Sequence, residues 1–209
     1  KRLLDQSFPD SIADALTDNE TFTDQTNSIV IRQISHNNNN VTVQVDIGRS
    51  ISRVFVTGGN ITYDGDLKTA GSNVGLGSAN NGLDGADKIC QSRANAVNLG
   101  GVWKAWLSDI QTSASNRLAS SGNISYQFMR LDGVIVANNW TDLTDDTLGN
   151  PINIDENGNT IQTSNVWTNT SSTGDMKTFN TQFNCNNWES SSNTNLGYAG
   201  YNTNTNYQW

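Results

Sequence analysis

The sequence predicts an α+β fold from three features: one stretch with the apolar spacing of an amphipathic helix, several short β-branched runs, and a long polar region. In that last region, residues 138–209, apolar side chains occur only as islands such as Val166-Trp167 and Phe183. A chain of 209 residues can bury one sizeable core plus an appendage, and falls below the usual size for two full domains. The expected division is an N-terminal β-rich arm over residues 1–50 and a main domain over 51–209.

Within the arm, residues 11–16 carry a short helical pattern that Asp10 or Ser11 can cap. Residues 28–34 and 41–47 are β-branched runs separated by His36 and four asparagines, which predicts a hairpin or two exposed edge strands. Alternation in the second run puts Val41, Val43 and Val45 on one face, and Ile29 and Ile31 add apolar side chains from the first. Each such side chain forgoes roughly 1.5–3 kcal/mol if left in water, so the arm is expected to pack against something. Donation of its strands to a neighbouring copy is the expected outcome.

The main domain opens with a strand at residues 52–57 that stops at Gly58-Gly59, and the Gly-, Ser- and Asn-rich residues 70–82 read as a loop. The helix follows at residues 84–99, with Leu83, Ala86, Cys90, Ala94 and Val97 at helical spacing, Asp84 as cap and Gly100-Gly101 as terminator. Residues 102–109 read as a strand. Residues 126–131 and 134–137 flank Asp132-Gly133, a hairpin signal because Asp-Gly accepts positive φ.

Polarity here comes from Asn, Ser, Thr and Gly, since only 15% of residues are charged, and six Trp, five Tyr and six Phe supply the apolar anchors. That bias is the kind found in extracellular β-rich proteins, and an extracellular or cell-surface location is expected. The formal net charge of −8 repels phosphate backbones and anionic membranes, so nucleic acid is not an expected partner. No 18-residue apolar run predicts a membrane span. Residues 1–10 lack a signal-peptide layout, so any export signal is expected to have been removed or to lie outside this sequence. Cys90 and Cys185 form no CxxC pair, which favours a structural disulfide over a metal–thiolate site.

Several ordered motifs carry a resemblance to a known family. They are Gly82-Leu-Asp-Gly-Ala-Asp-Lys-Ile-Cys-Gln-Ser-Arg-Ala, Trp103-Lys-Ala-Trp-Leu-Ser-Asp, Asp132-Gly-Val-Ile-Val-Ala-Asn-Asn-Trp-Thr-Asp-Leu, Asn150-Pro-Ile-Asn-Ile-Asp-Glu-Asn-Gly, Val166-Trp-Thr-Asn-Thr and Cys185-Asn-Asn-Trp. Together they resemble the bacterial DUF1554 family, related to the endostatin-like branch of the C-type-lectin fold and frequent in bacterial surface proteins. The resemblance runs from about Val54 to Trp209 and implies a C-type-lectin-like domain with one main helix, short antiparallel strands and a long irregular loop region. It places Trp103 and Trp106 on a central strand. In the family a Cys-containing loop and a last strand follow the position matched by Trp209, and the strand's cysteine bridges the helix cysteine. The domain is therefore expected to lack its last strand. On that pattern Cys90 and Cys185 have lost their usual partners; otherwise they pair with each other.

No catalytic constellation is expected, because the one histidine, His36, sits in a polar turn outside the main domain and Cys90 lies on a buried helix stripe without a basic neighbour. Oxygen donors Asp142, Asp145, Asp146, Asp155, Glu156, Asn157 and Asn159 crowd the long loop, and Asp142, Asp145, Asp155 and Asn157 are the candidate calcium ligands. The Glu-Pro-Asn or Gln-Pro-Asp tripeptide of calcium-dependent sugar binding is lacking; Asn150-Pro-Ile-Asn is the nearest run. Aromatic candidates for contact with a ligand are Trp140, Trp188, Tyr198 and Tyr201, with most tryptophans expected in the core and Tyr207 and Trp209 on an exposed tail. The expected function is a non-catalytic, cofactor-free extracellular module for adhesion or ligand binding, its partner a surface glycan or protein. The alternative is a self-associating subunit of an extracellular filament joined through the arm.

Overall fold

A computed structural model describes residues 17–24, 29–47, 51–58, 62–119 and 126–209, and it is mixed α+β, with short sheets and few helices. The helix expected at residues 11–16 lies outside the described residues. Two compact units divide the chain, Lys1–Ile51 and Ser52–Trp209.

The first unit is an antiparallel sheet in the order β1-β2-β3, with β1 at Thr21–Asp24, β2 at Ile29–His36 and β3 at Val41–Ile47. Asn37 Oδ1 accepts the N–H groups of Asn39 and Asn40 at 3.0 and 2.9 Å, so the asparagine run makes its own turn between β2 and β3. The register pairs Ile31 with Val45 and Gln33 with Val43. Ile29 and Ile31 are half-buried, whereas Val41, Val43 and Val45 are 42%, 40% and 50% exposed on an outer strand. His36 is not in the turn. It ends β2, and its Nδ1 donates to Asp18 at 2.9 Å, which holds the Asp18 carboxyl below its usual range.

In the second unit β4 (Ile51–Val54), β5 (Gln127–Arg130) and β6 (Ile135–Ala137) form a sheet in that order, and β7 (Asn165–Trp167) pairs antiparallel with β8 (Ala199–Tyr201). The β5–β6 hairpin turns where expected, with Gly133 at φ +85°. Helices are α1 (Leu67–Ser72), α2 (Gly82–Ala96), α3 (Ala114–Leu118), α4 (Trp140–Leu143) and α5 (Cys185–Trp188).

The long helix begins two residues before the expected start. Its cap is Asn81, whose side chain accepts the Asp84 N–H at 2.9 Å, while Asp84 reaches back to accept the Asn80 N–H at 2.8 Å. Two further expectations are corrected. The loop expected at residues 70–82 starts inside α1, which Asp66 caps by accepting from Thr69 N. Glycines on the two helices reflect close packing: a Cβ built on Gly85 would lie 2.1 Å from the Leu67 carbonyl oxygen, and one on Gly71 would lie 2.3 Å from Gly85 Cα. Gly75 and Gly77, at φ +82° and +81° with open space around them, are turn glycines. The strand expected at 102–109 is an irregular segment, because its amides go to side chains instead of a neighbouring strand. Trp103 N donates to Gln91 Oε1 at 2.9 Å and Ala105 N to Asp87 Oδ1 at 2.8 Å, two acceptors one turn apart on α2. Arg117 of α3 then donates to the Ala105 and Leu107 carbonyls at 3.1 and 2.8 Å.

One core gathers Leu67, Leu83, Ala86, Ile89, Leu107, Cys185 and Trp188; the other gathers Phe128, Val136, Ala137, Leu143 and Leu148, with Trp106, Trp140 and Trp209 against it. Trp209 was expected on an exposed tail. Instead its ring packs 4.9 Å from that of Trp106, because the chain after β8 turns back, with Tyr201 N donating to the Gln208 carbonyl at 2.8 Å. Among the described residues no helix is long and apolar enough to cross a membrane.

Candidate functional site: an aromatic surface beside a left-handed turn

Asn184, Asn186 and Asn187 make an unusual local structure possible. All four residues of α5 have φ between +53° and +64°, a left-handed turn that costs L-residues roughly 1–2 kcal/mol each outside glycine and asparagine. Several bonds hold it. Asn184 Oδ1 accepts the Asn187 N–H at 2.9 Å, Asn184 Nδ2 donates to Asn187 Oδ1 at 3.0 Å, and Trp188 N donates to the Asn184 carbonyl at 2.9 Å. Burial of Trp188, 0% exposed with its indole N–H on the Ser108 carbonyl at 2.9 Å, anchors the turn from inside. Apolar burial of about 1.5–3 kcal/mol per large side chain offsets much of the backbone cost.

This turn carries an exposed strip on its outer side. Cys185 N donates to the Leu196 carbonyl at 2.8 Å, Leu196 N to the Gln182 carbonyl at 2.7 Å, and Tyr198 N to the Phe183 carbonyl at 3.2 Å. The Phe183 and Tyr198 rings lie 6.2 Å apart. Gly197 between them is required, since a Cβ there would fall 2.6 Å from the Trp167 ring. Leu196 is 56% exposed, Tyr198 43% and the nearby Phe179, just before the capping Asn180, 75%. The stretch itself is sparse in charge: from residue 160 to 209 the charged residues are Asp175, Lys177 and Glu189, while Asp64 acts on Cys185 from another segment. Exposed apolar side chains in a stretch otherwise rich in Asn, Ser and Thr are candidates for a contact surface.

Of the expected ligand contacts, Tyr198 belongs to this surface. Tyr201 is 41% exposed but three positions further on, toward the opposite side of an extended strand. Trp140 and Trp188 are corrected to core pillars: Trp140 packs 5.9 Å from Trp106 and 6.1 Å from Phe128, and Trp188 packs 5.9 Å from Trp167. Phe179 and Leu196 were not singled out from sequence, where the only signal was an apolar residue isolated among neutral polar ones.

The four candidate calcium ligands are not brought together. They serve three separate turns instead: Asp142 accepts the Asn138 N–H at 2.6 Å, Asp145 the Thr147 N–H at 3.1 Å, and the buried Asp155 the N–H groups of Asn157, the fourth candidate, and of Asn159 at 2.9 and 2.8 Å. Among the described residues no three His, Cys, Asp or Glu side chains converge on a point. Glu156, 4% exposed, is bound to Arg93 at 3.3 Å and to Gly58 N at 2.8 Å, and ties the loop to α2.

Both cysteines are free thiols, so the mutual disulfide is not formed. They face different surroundings: Cys185 Sγ donates to the Leu196 carbonyl at 3.5 Å beside Gly65, whereas Cys90, expected on a buried stripe without a basic neighbour, is half-buried and under the influence of Asp87, Arg117 and Glu156. Burial, reinforced by the Asp87 charge, pushes the Cys90 thiol up to about 12, and burial also raises that of Cys185. Neither is a ready nucleophile at neutral pH. Comparison with protein-family models and with curated proteins finds no match for this chain.

Proposed function

We propose that this chain is a non-catalytic, extracellular or cell-surface binding module of the C-type-lectin-like class, similar to the DUF1554 proteins, with the Tyr198 surface as its ligand contact. The exposed Phe179, Leu196 and Tyr198, in a stretch sparse in charge, carry the reading. Aromatic and aliphatic side chains stack on the C–H faces of neutral sugars, and amides and hydroxyls around them suit sugar hydroxyls. The lectin-like assignment is supported by the motif order, the single long helix, the short antiparallel strands and the long irregular region pinned by Trp167 and Trp188. A non-catalytic role is supported by the raised thiols and by the outward-facing His36. The test is retention of the chain on immobilised neutral polysaccharides, comparing wild type with Phe179→Ala/Tyr198→Ala. Loss of retention at unchanged melting temperature is expected; equal retention of the variant, or none by wild type, sinks the reading.

A second reading is favoured by the open face of β3. Val41, Val43 and Val45 on an outer strand suit pairing with another copy's strand edge, which would make the chain a subunit of an extracellular assembly. Light scattering after size exclusion decides it. Assembly of wild type that is lost in Val43→Lys supports it, and a monomeric wild type sinks it.

A further inference from the structure

We propose that a second, separate site lies in the groove between α2 and the segment that follows it, and that it takes an acidic saccharide. The groove is shallow and open to solvent, with a volume of about 230 Å³, and is lined by Leu76, Asp87, Lys88, Gln91, Val102, Trp103 and Lys104. That is smaller than the ~300–1,000 Å³ of pockets for drug-sized ligands, and suits a single ring. Its floor is apolar and held in place. Trp103 is fixed by the Phe55 ring at 4.8 Å, by Arg53 at 5.3 Å from its centre, and by donation of its indole N–H to the Gly100 carbonyl at 2.7 Å. Val102 is 86% exposed and Leu76 38%, surface that neither core uses.

The charge at the groove is opposite to that of the chain. Asp87 is spent on Arg117 and the Ala105 amide, and Asp84 lies 3.6 Å from Lys88 and neutralises it. At the groove two cations then have no carboxylate partner: Lys104, which is exposed and lines it, and Arg53, which lies over the Trp103 ring and donates to the Leu99 and Gly100 carbonyls. In a chain of net charge −8, two spare cations beside an apolar floor select an anion with an apolar face. A hexuronate ring has that form, a C–H face to lie against Trp103 and Val102 and an edge carboxylate within reach of an ammonium. Gln91 has both ends of its amide engaged, with Trp103 N, Asn95 and the Gly101 carbonyl, so charge rather than amide bonding sets the selectivity.

The inference stands apart from the Tyr198 surface, and the experiment separates them. Calorimetric titration of the whole chain with oligogalacturonate is expected to give binding that weakens with added salt and falls at least about tenfold in Lys104→Glu. Val102→Asp, at a site too exposed to affect folding, is expected to weaken binding similarly, while Tyr198→Ala leaves it unchanged. No binding of oligogalacturonate, equal binding by Lys104→Glu and Val102→Asp, or equal binding of polyglutamate overturns the proposal; the last points to an acidic peptide instead.

Discussion

Arg117 Nη2 donates to Asp87 Oδ1 at 2.5 Å, and that same oxygen accepts the Ala105 amide, so one carboxylate joins α2, α3 and the segment between them. The Arg117 side chain is 10% exposed and that of Asp87 25%. Asp87→Ala would leave the Ala105 N–H without its acceptor and the Arg117 guanidinium without its counter-charge, held only by the Ala105 and Leu107 carbonyls. A loss of about 3 kcal/mol in urea unfolding is expected, near the lower end for a broken buried pair. Lys68→Ala, removing an ion pair with both partners more than 30% exposed, is expected to cost less than about 1 kcal/mol.

Gly85→Ala sets two effects against each other. Helix propensity alone favours alanine by up to about 1 kcal/mol. The new methyl, however, would lie 2.1 Å from the Leu67 carbonyl oxygen and 2.8 Å from Lys68 Cα, backbone atoms that cannot rotate away. Overpacking costs typically about 1–3 kcal/mol, so the net effect is destabilising, and α1 must separate from α2. A lowered melting temperature is the expected readout, and an unchanged or raised one would refute the packing argument.

The extent to which these features are legible in the sequence depends on how local their causes are. The α2 helix and the Asp132-Gly133 hairpin are readable because spacing, caps and positive-φ residues act within a few positions. Residues 102–109 are not: their β-like apolar pattern is overridden by Gln91 and Asp87, acceptors that become available only once α2 is folded. The glycines of α1 and α2 likewise report a crossing between helices, which composition alone presents as a loop. For the contact surface, Tyr198 was legible as an aromatic in a polar stretch. Trp188 was not, because its burial depends on a left-handed turn that no apolar period encodes.

That turn gives a discriminating pair of substitutions. Asn186 is exposed at φ 55°. Asn186→Val places a β-branched side chain in the left-handed region and is expected to lower stability by about 1–2 kcal/mol. Asn186→Gly is expected to be neutral or mildly stabilising, within about 1 kcal/mol, since glycine tolerates that φ but has more freedom to lose on folding. Equal effects of the two in chemical denaturation would count against the turn.

The last prediction concerns Cys90 and alkaline pH. In the folded chain its thiol is raised to about 12, whereas an unfolded cysteine ionises near ~8.5. The folded state therefore keeps a proton that the unfolded state releases. Below the unfolded value both states hold it, and the group has no effect on the slope of stability with pH. Between the two values the unfolded state gains by ionising, so stability falls as pH rises, by up to about 1.4 kcal/mol per unit, and levels off above the folded value. Cys90→Ala removes this contribution while leaving the lysines and tyrosines to titrate as before. Unfolding free energies of wild type and Cys90→Ala, measured from pH 8 to 11, are expected to run parallel at the low end and to converge or cross with rising pH (~8 to ~11). A thiol raised that far is scarcely ionised at pH 8, so Cys90 is expected to react more slowly with iodoacetamide in the folded chain than in the unfolded one. Curves that stay parallel throughout, or alkylation of native Cys90 as fast as that of the unfolded chain, would show that the thiol is not raised in the folded state.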